Sequence, residues 1–104
     1  MSTSFDTFLQ ELEAEARAEG RDALAELEAF RLHFSLARQL ADRRRAQHLT
    51  QKQLAARSGI DQAEISRIER GQANPTTATL GALTRALGVD VRLVPADATN
   101  ATAA

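Results

Sequence analysis

The chain contains no cysteine, no tryptophan and no tyrosine. Without cysteine there can be no disulfide and no thiolate zinc site, which fits a reducing, cytoplasmic setting. Four phenylalanines are its whole aromatic content, so a core has to be built mainly from Leu, Ile, Val and Ala. Such a core favours helices. No stretch approaches the roughly 20 apolar residues of a membrane span, and Met1 to Gln10 lack the basic start and apolar run of a signal peptide. Candidate chemistry is equally thin. His33 and His48 are the two histidines, their spacing matches no metal-binding pair, and each reads as a surface or capping residue. The glycines are scattered at element ends and form no phosphate-cradling loop. Asp61 with Glu64, and Glu11 with Glu15, read as helix-face carboxylates. No catalytic constellation can be assembled, so the expectation is a protein that is not an enzyme and holds neither metal nor cofactor.

What is present is an uneven distribution of charge. The 104 residues suffice for one compact domain with an arm or tail, and the overall charge of -1 conceals two opposed halves. Residues 1–32 carry eight acids (Asp6, Glu11, Glu13, Glu15, Glu19, Asp22, Glu26, Glu28) against Arg17, Arg21 and Arg31, a net of -5. The remainder has ten bases and six acids, a net of +4. An acidic end on a basic body suggests two different partners. Two solvated helix faces would give the same pattern.

Periodicity divides the chain into an acidic helical arm over 1–32, a domain over 33–95 and a disordered tail over 96–104. Phe5, Phe8, Leu9 and Leu12 form one apolar stripe, with Ser4 as N-cap. Gly20 interrupts this helix, and Asp22 can cap the next. Leu24, Leu27, Phe30, Phe34, Ala37 and Leu40 keep helical spacing, so a long helix runs to about Ala46. Thr50 with Gln53 reads as a capping box for a short helix stopped by Ser58-Gly59. Asp61 with Glu64 reads as a variant of that box for a helix with Ile65 and Ile68 on its apolar face, ended by Gly71. After the Asn74-Pro75 turn, Thr76 or Thr77 opens a helix carrying Leu80, Leu83 and Leu87, closed by Gly88. Val89, Val91 and Leu93 alternate with Asp90 and Arg92, a strand pattern over 89–94 that ends at Pro95.

Two short helices joined by Ser58-Gly59-Ile60 are what a DNA-reading element requires: one rests across the phosphates and presents the other to the major groove. On the second, Gln62, Ala63, Ser66 and Arg67 point away from Ile65 and Ile68. Gln pairs with adenine, Arg with guanine, and an Ala methyl can touch thymine. Arg43, Arg44, Arg45, Lys52, Arg57 and Arg70 supply charge for a phosphate backbone.

The runs Leu49 to Ala55, Ser58-Gly59, Ile65 to Gly71, Asn74-Pro75, Thr79-Leu80 and Ala86 to Val89 closely resemble the lambda-repressor/Cro type of helix-turn-helix over residues 36–94. That resemblance implies an all-α helical bundle that binds operator DNA as a two-fold homodimer, here with an N-terminal helical arm and a short C-terminal β-strand. It places Gln62, Ala63 and Arg67 at base-reading positions, with Ser66 beside them. It gives Gln51 a phosphate contact through its side chain and its helix's N-terminus, and the charge of Lys52, Arg43, Arg45 and Arg70 makes them further phosphate candidates. It makes Arg44 and Glu69 a structural salt bridge. Two positions depart from the family pattern. His48 stands where a helix-ending Gly is usual, so it must take φ > 0 or the turn must differ. Arg43 stands where an apolar residue or Ala is common.

The flanks carry a narrower resemblance. An acidic arm running into Phe34-Ser35-Leu36-Ala37-Arg38, the motif, and a strand after Leu87-Gly88 are similar to HigA-type antitoxins of toxin–antitoxin operons. That implies an autorepressor whose arm, through Phe5, Phe8, Leu9, Leu12, Leu24 and Leu27, neutralises a small basic ribonuclease of the RelE kind. Val89, Val91 and Leu93 are expected to pair with their two-fold mates, and the recognition helices to read an inverted repeat with half-sites about 34 Å apart. Three readings stand: an antitoxin and autorepressor acting on the bacterial nucleoid, a free-standing repressor whose arm only folds or dimerises, and a protein-binding inhibitor without specific DNA binding.

Overall fold

The computed structural model describes residues 3–96; the tail expected to be disordered falls outside them except for Ala96. Five helices make up the fold: α1 (Thr3–Glu19), α2 (Arg21–Ala46), α3 (Gln51–Ser58), α4 (Gln62–Glu69) and α5 (Thr77–Leu87). Among the described residues there is no strand, and no helix is long and apolar enough to cross a membrane.

α1 and α2 fold into a hairpin around Gly20, where Ala16 and Leu27 are buried between them. Glu13 on α1 binds both Arg17 (3.1 Å) and Arg31 of α2 (3.4 Å). The Arg17 hydrogen bond, ahead of the charge of Arg31, holds its carboxyl below the usual carboxylate range. The expected boundary at residue 32 falls inside α2, which runs unbroken from the hairpin into the domain. Its lower half meets α3, α4 and α5 around Leu40, Leu49, Leu54, Ile65, Ile68, Leu83 and Leu87. Burying each such side chain contributes about 1.5–3 kcal/mol, and this cluster fixes the angle between α3 and α4.

The helix ends show local physics at work. Thr50 makes both bonds of a capping box: its hydroxyl accepts from the Gln53 N–H (3.0 Å), and the Gln53 side chain accepts from the Thr50 N–H (2.8 Å). Thr76 caps α5 through the Thr79 N–H (3.1 Å). Asp61 occupies the N-cap position of α4, but its carboxylate makes no cap hydrogen bond, so the expected box with Glu64 is not formed. Ser4 and Asp22 lie inside their helices and Gly20 takes the N-cap of α2. Gly81 lies within α5 rather than at an element end.

α2, α4 and α5 close with one device, a pair of backbone bonds from two successive residues at the helix end. In α2 these run from His48 N–H to Arg45 O (2.9 Å) and from Leu49 N–H to Arg44 O (3.2 Å). The first residue of the pair is left-handed. In α4 and α5 it is Gly71 (φ 73°) and Gly88 (φ 69°); in α2 it is His48 at φ 58°. The departure noted at His48 is therefore met by positive φ with the turn kept. At Gly71 a second constraint applies, because a Cβ there would lie 2.5 Å from Phe34 Cε1.

Among the described residues after Gly88 no strand forms, which corrects the expected C-terminal β-strand. Val89 is half-buried on the core, whereas Val91, Leu93 and Val94 are 57, 98 and 68 % exposed. Alternation alone does not make a strand: a ladder needs a second row of backbone donors and acceptors, and the described elements are all helices.

Two substitutions test these turns by urea denaturation. Replacing His48 with Gly removes left-handed strain worth about 1–2 kcal/mol against a loss of unfolded-state restriction of about 0.4–1 kcal/mol, so stability rises slightly. Gly71→Ala adds that strain and an overpacking cost of about 1–3 kcal/mol against Phe34, so it is strongly destabilising. A destabilised His48→Gly or a neutral Gly71→Ala contradicts this account.

Candidate nucleic-acid interface

α4 has two faces. Ile65 and Ile68 are buried, while Gln62, Ala63 and Arg67 are exposed and Ser66 is half-buried on the opposite side. With Arg70, which donates from Nε to the Ser66 carbonyl (3.2 Å), they form one surface at helical spacing. α3 crosses behind it, and the turn between them is closed by the Ser58 hydroxyl accepting from the Ile60 N–H (3.1 Å). Gly59, left-handed at φ 77°, ends α3.

A buried ionic cluster holds α4 in place. Arg44 of α2 donates twice to Glu69 of α4, from Nε to Oε2 (2.8 Å) and from Nη2 to Oε1 (2.9 Å), and a third time from Nη1 to the Leu49 carbonyl (2.7 Å). Gln51 of α3 donates from its amide nitrogen to Glu69 Oε1 (3.0 Å). A carboxylate only accepts, so this partner fixes which end of the amide faces it. The side chains of Arg44 and Glu69 are 10 and 5 % exposed. Burial alone would raise the Glu69 carboxyl, but hydrogen bonds from Arg44 and Gln51, then the charges of Arg44 and Arg45, outweigh it and hold the group below its ordinary 4.5. The Arg44 guanidinium holds its proton more firmly than usual, chiefly through the Glu69 hydrogen bonds.

Two further clamps join the helices. His33 of α2, read from sequence as a surface or capping residue, is half-buried and donates from Nε2 to the Gly71 carbonyl (2.7 Å) just after α4. Gln47 donates to the Leu87 carbonyl of α5 (2.6 Å). Neither pairing has a sequence signal, since the partners are 38 and 40 residues apart and each acceptor is backbone.

The cationic residues expected at phosphates are all on the surface: Arg43, Arg45, Lys52, Arg57 and Arg70 are exposed. Arg45 lies 3.8 Å from Asp42. Gln51 is different. One of its amide hydrogens is committed to Glu69, so it belongs to the ionic cluster as well as to the start of α3. The arm residues divide similarly: Phe5 and Phe8 are exposed, Leu9, Leu12 and Leu24 half-buried, and Leu27 is enclosed in the hairpin. Leu27 is 8 % exposed between the two helices. Among the described residues no group of three or more His, Asp or Glu is placed to hold a metal ion.

Two short helices at a tight turn, the second outward-facing and locked from behind, define a helix-turn-helix. The helix-turn-helix family model matches residues 40–94, more than half of the chain, and the chain belongs to that family. Its relatives include two proteins of Sinorhizobium fredii named uncharacterized HTH-type transcriptional regulators: y4dJ, 52% identical over 58 residues (54% of this chain, 75% of that one), and y4dL, 42% identical over 60 residues (58% and 31%). An uncharacterized HTH-type transcriptional regulator of Haemophilus influenzae is 38% identical over 76 residues (73% and 78%). The chain thus spans about a third of the length of y4dL but most of the other two. No solved structure matches it.

The ionic cluster has a pH signature. Because the Glu69 carboxyl is lowered on folding, its contribution is complete above about 4.5 and is lost as pH falls through the lower folded value. Glu69→Gln leaves Arg44 buried without a counter-charge and should cost about 3–5 kcal/mol at pH 7. In urea titrations from pH 7 to pH 2 the gap between the two proteins should narrow below pH 4.5. A gap that is constant across that range would refute it.

Proposed function

We propose that the protein is a transcriptional repressor that binds an inverted-repeat operator as a homodimer, and that it is also the antitoxin of a small basic ribonuclease of the RelE kind. The observation that carries the DNA reading is the presentation of Gln62, Ala63, Ser66 and Arg67 on one face of α4, with Glu69 of that same helix bonded to α2 and α3 from behind. In this reading Arg67 and Gln62 read base edges, Ala63 and Ser66 sit against them, and Lys52, Arg43, Arg45, Arg70 and the start of α3 at Gln51 hold phosphates.

A second copy is the natural cover for Val91, Leu93 and Val94, three exposed apolar side chains after Gly88. Two-fold pairing there would set the spacing of the two α4 helices. The antitoxin part is supported by the charge of the hairpin, net -5 over residues 1–32, since a ribonuclease that grips RNA presents a basic surface. The protein would then act in the bacterial cytoplasm, on its own promoter. A free-standing repressor with a purely structural hairpin is the alternative.

Binding to the promoter of its own gene and to random DNA separates the roles. Arg67→Ala should relax specificity at one base pair by about 1–3 kcal/mol. Lys52→Ala should weaken binding to all sequences alike and reduce the slope of log K against log salt by about 1. Equal losses on promoter and random DNA for both variants would sink the assignment. For the antitoxin part, full-length protein is co-expressed with the product of the small reading frame beside its gene. Retention of that product and rescue of growth support it; neither occurring leaves the free-standing repressor.

A further inference from the structure

The hairpin and the domain share a surface that DNA reading does not use. Three recesses lie end to end along α2. The first, between α1 and α2, has Leu12, Ala23 and Phe30 in its wall and Glu15, Glu19 and Glu26 at its rim. The second shares Glu26 and Phe30 with it and continues past Ala29 and His33 to the turn after α4. The third shares Ala29, His33, Ala73 and Asn74 with the second and ends between Leu36 and Pro75. Together they make a channel from Ala23 to Leu36, about 20 Å of helix.

Its chemistry is specific. The wall is largely apolar, and Leu32 stands in it 70 % exposed, with Phe30 38 % exposed. Three carboxylates edge the hairpin end, and among the described residues neither Arg nor Lys lines any of the three recesses. A ligand that covers the wall draws the rim carboxylates out of water, which is costly unless it brings cations to them. A helix with one apolar stripe flanked by Lys and Arg meets both demands, and its length suits the channel. A second copy of this chain does not. Its exposed apolar segment, Val91 to Val94, carries Arg92 already 3.6 Å from Asp90 and so brings no net positive charge.

We propose that the channel along α2, from the acidic rim at Glu15, Glu19 and Glu26 to Leu36, is the docking site for a basic amphipathic helix of a partner protein. In its choice of a basic partner the proposal rests on the antitoxin reading, but it moves the contact. The partner meets Phe30 and Leu32 on α2, with Leu27 at the base of the hairpin recess, and its far end abuts the Gly71 to Pro75 turn that follows α4.

The test uses full-length, isotope-labelled protein and amide chemical shifts. The probe is a Leu/Lys amphipathic peptide of about four helical turns, with a Leu/Glu peptide of identical pattern and a Lys peptide lacking an apolar face as controls. Shifts should concentrate on residues 23–36 and 71–75, and the Leu/Lys peptide should bind about tenfold or more tighter than either control. Leu32→Arg, at an exposed position that folding does not need, should weaken it by about tenfold; Glu26→Arg is the second variant, and circular dichroism checks both folds. Shifts confined to the outer faces of the hairpin, or equal affinity for wild type and both variants, would overturn the proposal. So would a dimer in sedimentation that Leu32→Arg converts to monomer, because the channel would then be a self-interface. The reading-frame product separates the two ideas. If it binds wild type and Leu32→Arg alike, the channel is wrong and the antitoxin reading stands. If it binds neither while the peptide maps to the channel, the antitoxin reading falls and the channel stands.

Discussion

The bidentate contact between Arg44 and Glu69 is the constraint on which the rest of the structure turns. α4 is eight residues long, too short to be stable or precisely placed on its own. Ile65 and Ile68 bury one side of it, but apolar contact is non-directional and would tolerate rotation about the helix axis. Two parallel hydrogen bonds from a planar guanidinium do not. Gln51 extends the same carboxylate to α3, so a single side chain sets the mutual orientation of three helices. The cost is that Arg44 and Glu69 depend on each other, since either alone would be a buried, unmatched charge.

Much of this architecture was legible in the sequence because its signals are local. Apolar spacing defined α2 to Ala46, and Thr50 with Gln53 and Thr76 announced the helix starts they make. The outward face of α4 followed from the positions of Ile65 and Ile68 within its turns. His48 was readable as a choice between two geometries, and the backbone bonds of the α2 terminus decided it in favour of positive φ.

What escaped the sequence depends on distant partners. Alternation at Val89, Val91 and Leu93 suits a strand but cannot supply the neighbouring one. Asp61 has the right identity and place for a cap, yet its carboxylate is not used. The hydrogen bond of His33 and the fit of Phe34 over Gly71 join residues on opposite sides of the domain sequence, and neither donor nor acceptor is unusual in isolation. The same holds for the channel along α2, whose walls come from α1, α2 and the turn after α4.

All four phenylalanines lie in one chain of ring contacts, from Phe8 to Phe5 (6.4 Å), Phe5 to Phe34 (6.4 Å) and Phe34 to Phe30 (4.6 Å), and Phe34 rests on Gly71. Every ring is made in the first third of the chain, whereas the glycine that seats Phe34 lies 38 residues beyond His33. At about 5–20 residues per second, a ribosome takes roughly 2–8 s to bridge that interval. During it the hairpin has left the ribosome ahead of its seat, with its largest apolar side chains uncovered. The hairpin is therefore made before the glycine that seats it, and its aromatic surface stays open until translation has passed Gly71.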